Sequence, residues 1–142
     1  MKLRQEEIAL LIRHAIDARE RAYAPYSGYM VGAALLCDNG DIYPGCNIEN
    51  ASYSPSNCAE RTAFFKAVSE GRRHFCAIAI TGGPEGCDEL QMAYPCGVCR
   101  QVMEEFCDPS QFYIITAKSE TQYEVFLLGE LLPHGFGPEN LL

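Results

Sequence analysis

The chain has 142 residues, 48% hydrophobic and 21% charged, which predicts one folded domain over residues 1–142 and excludes wholesale disorder or a collagen-like fibre. A chain of this size buries roughly 68 to 70% of its unfolded surface, so a core needs no disulfides. Eleven Lys and Arg against 19 Asp and Glu give a net charge of −8, without the basic footprint of a nucleic-acid binder, and no apolar run nears a membrane span.

The N-terminal stretch MKLRQEEIALLIRHAIDARERA is charged throughout and lacks an uninterrupted apolar signal core, so a soluble, intracellular, cytoplasmic protein with no membrane partner is expected. Within it Leu3, Ile8, Leu11, Ile12, Ala15 and Ala18 or Ala22 recur at helical intervals, predicting an amphipathic helix over residues 3–22. Ala24-Pro25-Tyr26-Ser27-Gly28 ends it. Residues 30–36 and 41–46 read as a strand hairpin around Asp38-Asn39-Gly40, with Pro44 assigning the second strand to an edge or bulge.

Residues 47–57 form a polar loop, and residues 58–70 a helix stopped by Gly71. A buried strand follows at 75–81, then a loop at 82–94, and Pro95 opens a helix over 96–106. Strands at 111–116 and 122–126 and a helical patch at 127–132 complete the chain. This order predicts an α/β fold, a single mixed sheet of about five strands with helices on its faces. Phe64, Phe65 and Val68 are expected in the core by helical periodicity.

Eight cysteines in a reducing compartment are more often ligands, catalytic groups or buried hydrophobes than disulfides. Cys37, Cys46, Cys76 and Cys107 lie in or beside apolar strands or at a helix end and read as core filling. Cys58, Cys96 and Cys99 instead open two helices, the latter pair spaced i, i+3 on one face, where the helix N-terminus favours thiolates. Three ligands are one short of a closed structural zinc site, which leaves a position for water. Glu60, two residues past Cys58, is placed to take that water's proton and deliver it to substrate. Three thiolates dull the metal's acidity; Arg61 is placed to donate to ligand sulfurs and offset this. The rival readings are a structural zinc knuckle completed by Cys87, Cys107 or a histidine, or no metal at all. His14, His74 and His134 stand in no ligand spacing and are expected at the surface or in packing.

The runs Gly45-Cys46-Asn47-Ile48-Glu49-Asn50-Ala51-Ser52-Tyr53, Asn57-Cys58-Ala59-Glu60-Arg61-Thr62-Ala63 and Pro95-Cys96-Gly97-Val98-Cys99-Arg100-Gln101 closely resemble the small homotetrameric cytidine deaminases. The resemblance extends from about Tyr23 to Leu132. It implies a three-layer α/β/α fold and zinc-dependent hydrolytic deamination of cytidine and 2′-deoxycytidine, with release of ammonia, in pyrimidine salvage. It implies one Zn2+ per chain on Cys58, Cys96 and Cys99, and Glu60 as the proton shuttle to N3 and the leaving amine. It further implies that the Ala59 N–H meets the base carbonyl, the Pro95 carbonyl the exocyclic amine, and Asn47 and Glu49 the ribose 3′-hydroxyl.

Tyr29 and Ala51 are expected among the substrate contacts, with Tyr29 packing on the pyrimidine. Tyr53 and Phe136, the latter after Leu131-Leu132-Pro133, are expected to reach a neighbouring chain's nucleoside in a homotetramer with shared sites. The family often has Phe before its Val-Gly-Ala motif, where Tyr29-Met30 stands here, and another Cys where Ser56 stands. Related deaminases act on a nucleoside antibiotic such as blasticidin or on bases within RNA or DNA. The acidic charge and the Asn-Ile-Glu-Asn loop, which suits a free sugar, speak against both.

Overall fold

Ile8, Leu11, Ile12, Ala15 and Ala18 form one buried stripe on helix α1 (Gln5–Arg19). The computed structural model describes residues 3–142. Helix α1 stops three residues short of the expected end. The N–H groups of Glu20, Arg21 and Ala22 bond back only three residues, at 3.2, 3.1 and 3.0 Å, tightening the chain into a turn.

Strand β1 (Tyr29–Cys37) pairs antiparallel with β2 (Ile42–Cys46) across a turn in which Gly40 takes φ +95°. Pro44 keeps register opposite Ala34 on this edge strand, so its missing N–H faces outward. Helix α2 (Ala59–Ser69) leads to β3 (Phe75–Pro84), and α3 (Gly97–Phe106) links β3 to β4 (Tyr113–Ala117) in parallel. Strand β3 outruns its expected length because Gly82, Gly83 and Pro84 continue the ladder opposite Val31, Met30 and Tyr29. Strand β4 starts late because the Gln111 and Phe112 N–H groups both close a turn on the Asp108 carbonyl. Strand β5 (Tyr123–Leu127) and the short helix α4 (Leu128–Leu131) follow. The five strands run in the order β2-β1-β3-β4-β5.

The period of two along the strands sorts side chains onto two cores, giving three α/β/α layers. Ala34, Leu36, Ala77, Ala79, Ile115 and Ala117 face α1, while Ala33, Leu35, Ile78, Ile80 and Ile114 face α2 and α3. Two glycines set how closely the helices approach. A Cβ on Gly32 would lie 2.9 Å from the Arg19 Cα, and one on Gly45 would lie 2.6 Å from the Ala63 N, so each helix sits directly on a strand.

Phe64 is fully buried amid Phe75, Phe106 and Phe112. Phe65 departs from expectation: one residue around the helix, it points out and is 47% exposed, and Val68 is only half-buried. Cys37 and Cys107 are buried, whereas Cys46 and Cys76 are half-buried. His14, His74 and His134 are all exposed. No helix among the described residues is long and apolar enough to cross a membrane.

Candidate metal centre and adjoining cavity

Cys58 and Cys96 are the N-cap residues of α2 and α3, with extended backbones, and Cys99 lies in the first turn of α3. Two helix N-termini therefore converge on one point, and their dipoles favour negative sulfur there. The three Sγ atoms lie within 4.8 Å of one another, and no other His, Cys, Asp or Glu among the described residues joins the group. Cys58 and Cys96 Sγ stand 3.7 Å apart. Two sulfurs about 2.3 Å from a tetrahedral zinc are about 3.8 Å apart, so the spacing fits that ion.

The Arg61 guanidinium donates through Nη2 to Cys58 Sγ at 3.3 Å, while its Nε is buried with no partner. A buried unpaired donor is costly unless negative charge gathers beside it, as it does when thiolates bind a metal. Hydrogen bonds from Cys99, then Arg61 and Cys96, hold the Cys58 thiol well below its ordinary value against the opposing effect of burial. Glu60 is 4% exposed, and burial, reinforced by the Cys58 charge, pushes its carboxyl up to about 7. A carboxyl poised near neutrality can both take and give a proton.

These groups open onto a cavity of about 660 Å³. Cys58, Ala59, Glu60, Arg61 and Cys96 line its metal end; Tyr29, Val31, Ile80 and Ala93 supply apolar wall; and Asn47, Glu49 and Tyr53 lie in its lining. Asn47 extends the edge of β1, donating to the Tyr29 carbonyl and accepting from the Val31 N–H, both at 2.8 Å. Glu49 Oε1 accepts from the Tyr26 and Ser27 N–H groups at 3.0 and 3.1 Å, and its Oε2 accepts from Ser27 Oγ. The Ser27 hydroxyl, with those backbone donors, holds the Glu49 carboxyl below the usual carboxylate range.

Three expected substrate contacts lie outside this lining. Ala51 is exposed on its loop, and Phe136 is 58% exposed elsewhere, its carbonyl accepting from Gln101 Nε2 at 2.7 Å. Pro95 is buried and its carbonyl accepts from Arg100 Nε at 2.8 Å, turning it toward α3. The residue just before it, Tyr94, does line the cavity. Sequence reasoning missed Tyr94, although a residue before proline is held extended and so presents its carbonyl outside the coming helix. Arg100, four residues past Cys96, also escaped notice; its Nη1 donates to the Leu131 carbonyl at 2.5 Å.

A family model described as the cytidine and deoxycytidylate deaminase zinc-binding region matches residues 5–116. A cytidine deaminase of Sporosarcina psychrophila is 49% identical over 136 residues, covering 95% of each chain. One from Halalkalibacterium halodurans is 48% identical over 132 residues, covering 93% of this chain and 96% of the relative. The crystal structure of cytidine deaminase from Burkholderia pseudomallei matches with a TM-score of 0.80 at 46% identity, covering 89% of this chain and 97% of that one.

Proposed function

The chain belongs to the cytidine and deoxycytidylate deaminase family, and from that premise we propose that it hydrolyses cytidine and 2′-deoxycytidine to uridine and 2′-deoxyuridine, releasing ammonia, in pyrimidine salvage. The observation that carries this reading is a cluster of three thiols, two of which, Cys58 and Cys96, line a cavity of nucleoside size together with the buried carboxyl of Glu60. Zinc, one per chain on Cys58, Cys96 and Cys99, supplies the Lewis acidity that brings water's pKa toward neutrality.

The protein's own groups do the rest. Glu60 takes a proton from water as its oxygen adds at C4 and passes it to N3 of the base. It then takes the second proton, from the C4 hydroxyl, and gives it to N4, so that the C4–N4 bond breaks and ammonia leaves as the C4 carbonyl forms. The Ala59 N–H, at the first position of α2 and without an intrahelical partner, holds the base carbonyl. The exocyclic amine falls to the Tyr94 carbonyl in place of Pro95, whose oxygen faces Arg100. Asn47 and Glu49 hold the ribose hydroxyl, Tyr29 packs on the base, and Arg61 draws charge from the ligand sulfurs.

Free nucleosides suit this cavity better than deoxycytidylate. Among the described residues Arg61 is the one cation in the lining and is engaged by Cys58, whereas Glu49 and Glu60 are both acidic. A 5′-phosphate would find no free cation there. Metal-loaded protein should release ammonia from cytidine and deoxycytidine, and far more slowly from deoxycytidylate and free cytosine. Ammonia from deoxycytidylate alone would overturn the nucleoside assignment, and none from any of the four would overturn the activity.

A cytoplasmic homotetramer with shared sites completes the proposal. The homotetramer is supported by exposed apolar side chains, Tyr53 at 74% and Val98 at 58% in the cavity lining and Phe136 at 58% outside it. Phe136→Ala should raise the Michaelis constant for cytidine with zinc content unchanged. Light scattering that reports a fully active monomer would refute the shared site.

A further inference from the structure

Tyr29 is held more firmly than a lining residue needs to be. Its ring lies against Gly82: a Cβ there would stand 3.0 Å from both Tyr29 Cε2 and the phenol oxygen, and 3.1 Å from the Ala93 Cβ. The phenol donates to Gln91 Oε1 at 3.1 Å, so the hydroxyl is turned onto the protein. Gln91 is in turn fixed to Gly82 by two backbone bonds, Gln91 N–H to the Gly82 carbonyl at 2.7 Å and Gly82 N–H to the Gln91 carbonyl at 3.2 Å.

The backbone of this corner is pinned as well. The buried Arg19 guanidinium donates to the Met30, Gly83 and Pro84 carbonyls at 3.1, 2.9 and 2.8 Å, and so binds the start of β1 to the end of β3. Asn47 and Ser27 hold the Tyr29 carbonyl and N–H, at 2.8 and 3.0 Å. The phenol–Gln91 bond then holds the ring on its Gly82 seat and fixes how it leans across the cavity, since a tyrosine ring swings about χ1 and χ2 when its tip is free.

We propose that Gln91, itself outside the cavity lining, is a positioning residue that sets the width of the base slot by tethering the Tyr29 phenol, with Gly82 as the seat that lets the ring lie back. This rests on the cytidine deaminase reading above. Because the ring meets the base in the ground state and in the transition state alike, loss of the tether should appear in the Michaelis constant more than in kcat.

The experiment compares Gln91→Leu, Tyr29→Phe, the double variant, Gln91→Glu and Gly82→Ala in zinc-loaded enzyme, by steady-state kinetics on cytidine and elemental analysis. Gln91→Leu and Tyr29→Phe should each raise KM by about three- to tenfold, with kcat within about twofold, as loss of one hydrogen bond predicts. The double variant should be no worse than the worse single, because both break the same bond. Gln91→Glu keeps an acceptor for the phenol and should hold KM near the parent value. Gly82→Ala, which pushes the ring off its seat, should raise KM beyond Gln91→Leu.

Parent-like KM in both Gln91→Leu and Tyr29→Phe, or effects that multiply in the double variant, would overturn the tether while leaving the deaminase reading intact. So would Gln91→Glu behaving as Gln91→Leu, or a parent-like KM in Gly82→Ala. A parent enzyme that releases no ammonia from cytidine would overturn the functional reading and the tether with it.

Discussion

Two arginines are drawn into the interior, one on each face of the sheet, and they are satisfied in opposite ways. Arg19, 6% exposed, spends its donors on three backbone carbonyls and serves to lock strand ends together. Arg61 gives one donor to a thiol and leaves its buried Nε with no partner. The Arg19 guanidinium is thus satisfied within the protein, whereas the Arg61 guanidinium keeps a donor that a ligand at the thiols would complete. A saturated buried cation reads as architecture, and an unsaturated one beside thiols reads as chemistry.

The sharpest test of that contrast is Glu60→Gln. The amide can hydrogen-bond water but cannot carry its proton, so kcat should fall by about 10²- to 10⁴-fold while zinc stays at one per chain. Stopped turnover with intact metal, measured by kinetics and elemental analysis, confirms it; near-parent turnover would require another proton carrier.

Arg19→Met should do the reverse. Three carbonyls lose a charged donor, so urea unfolding should show a loss of about 2 to 4 kcal/mol with zinc stoichiometry unchanged. A variant that instead sheds its metal would break the division between the faces.

The metal-free protein offers a pH test. The Glu60 carboxyl rises from 4.5 to about 7 on folding, so between those values the native state binds more protons than the unfolded one, and this residue's contribution to stability falls as pH rises. Cys58, held low, works in the opposite direction. The parent minus Glu60→Gln difference isolates the carboxyl and should decline by about 2 to 3 kcal/mol from pH 4.5 to 8, by chemical denaturation. A flat difference would mean that Glu60 ionises freely in the fold.

The smallest effect is expected for Arg61→Gln. Its zinc affinity should weaken by about 10- to 100-fold, read by competition with a chelator, with a urea midpoint close to the parent. An equal loss in Arg19→Met would erase the distinction.

The sequence carried much of this because its signals were local. Cys96 and Cys99, at i and i+3, share one helical face, and the continuous apolar runs of β1 and β3 marked them as strands. What stayed illegible depended on contacts between distant segments. The extension of β3 through Gly82–Pro84 needs Tyr29–Val31 as partner, and glycine and proline gave no local sign of it. Phe65 shares a helix with buried Phe64 and differs only by a turn of about 100°, which a short apolar run does not resolve. The orientation of the Pro95 carbonyl is decided by Arg100, a side chain whose reach no spacing rule describes.

Pro44 bears on how this protein behaves at high concentration. An open sheet ends in rows of free backbone donors and acceptors onto which another chain can add, the first step of fibre growth. On the outer edge of β2 one donor is missing at the middle of a five-residue strand, and the pyrrolidine ring stands where an incoming strand would lie. Replacing Pro44 by threonine restores that donor without touching the cavity. The cost would appear as turbidity on prolonged warming of concentrated solutions.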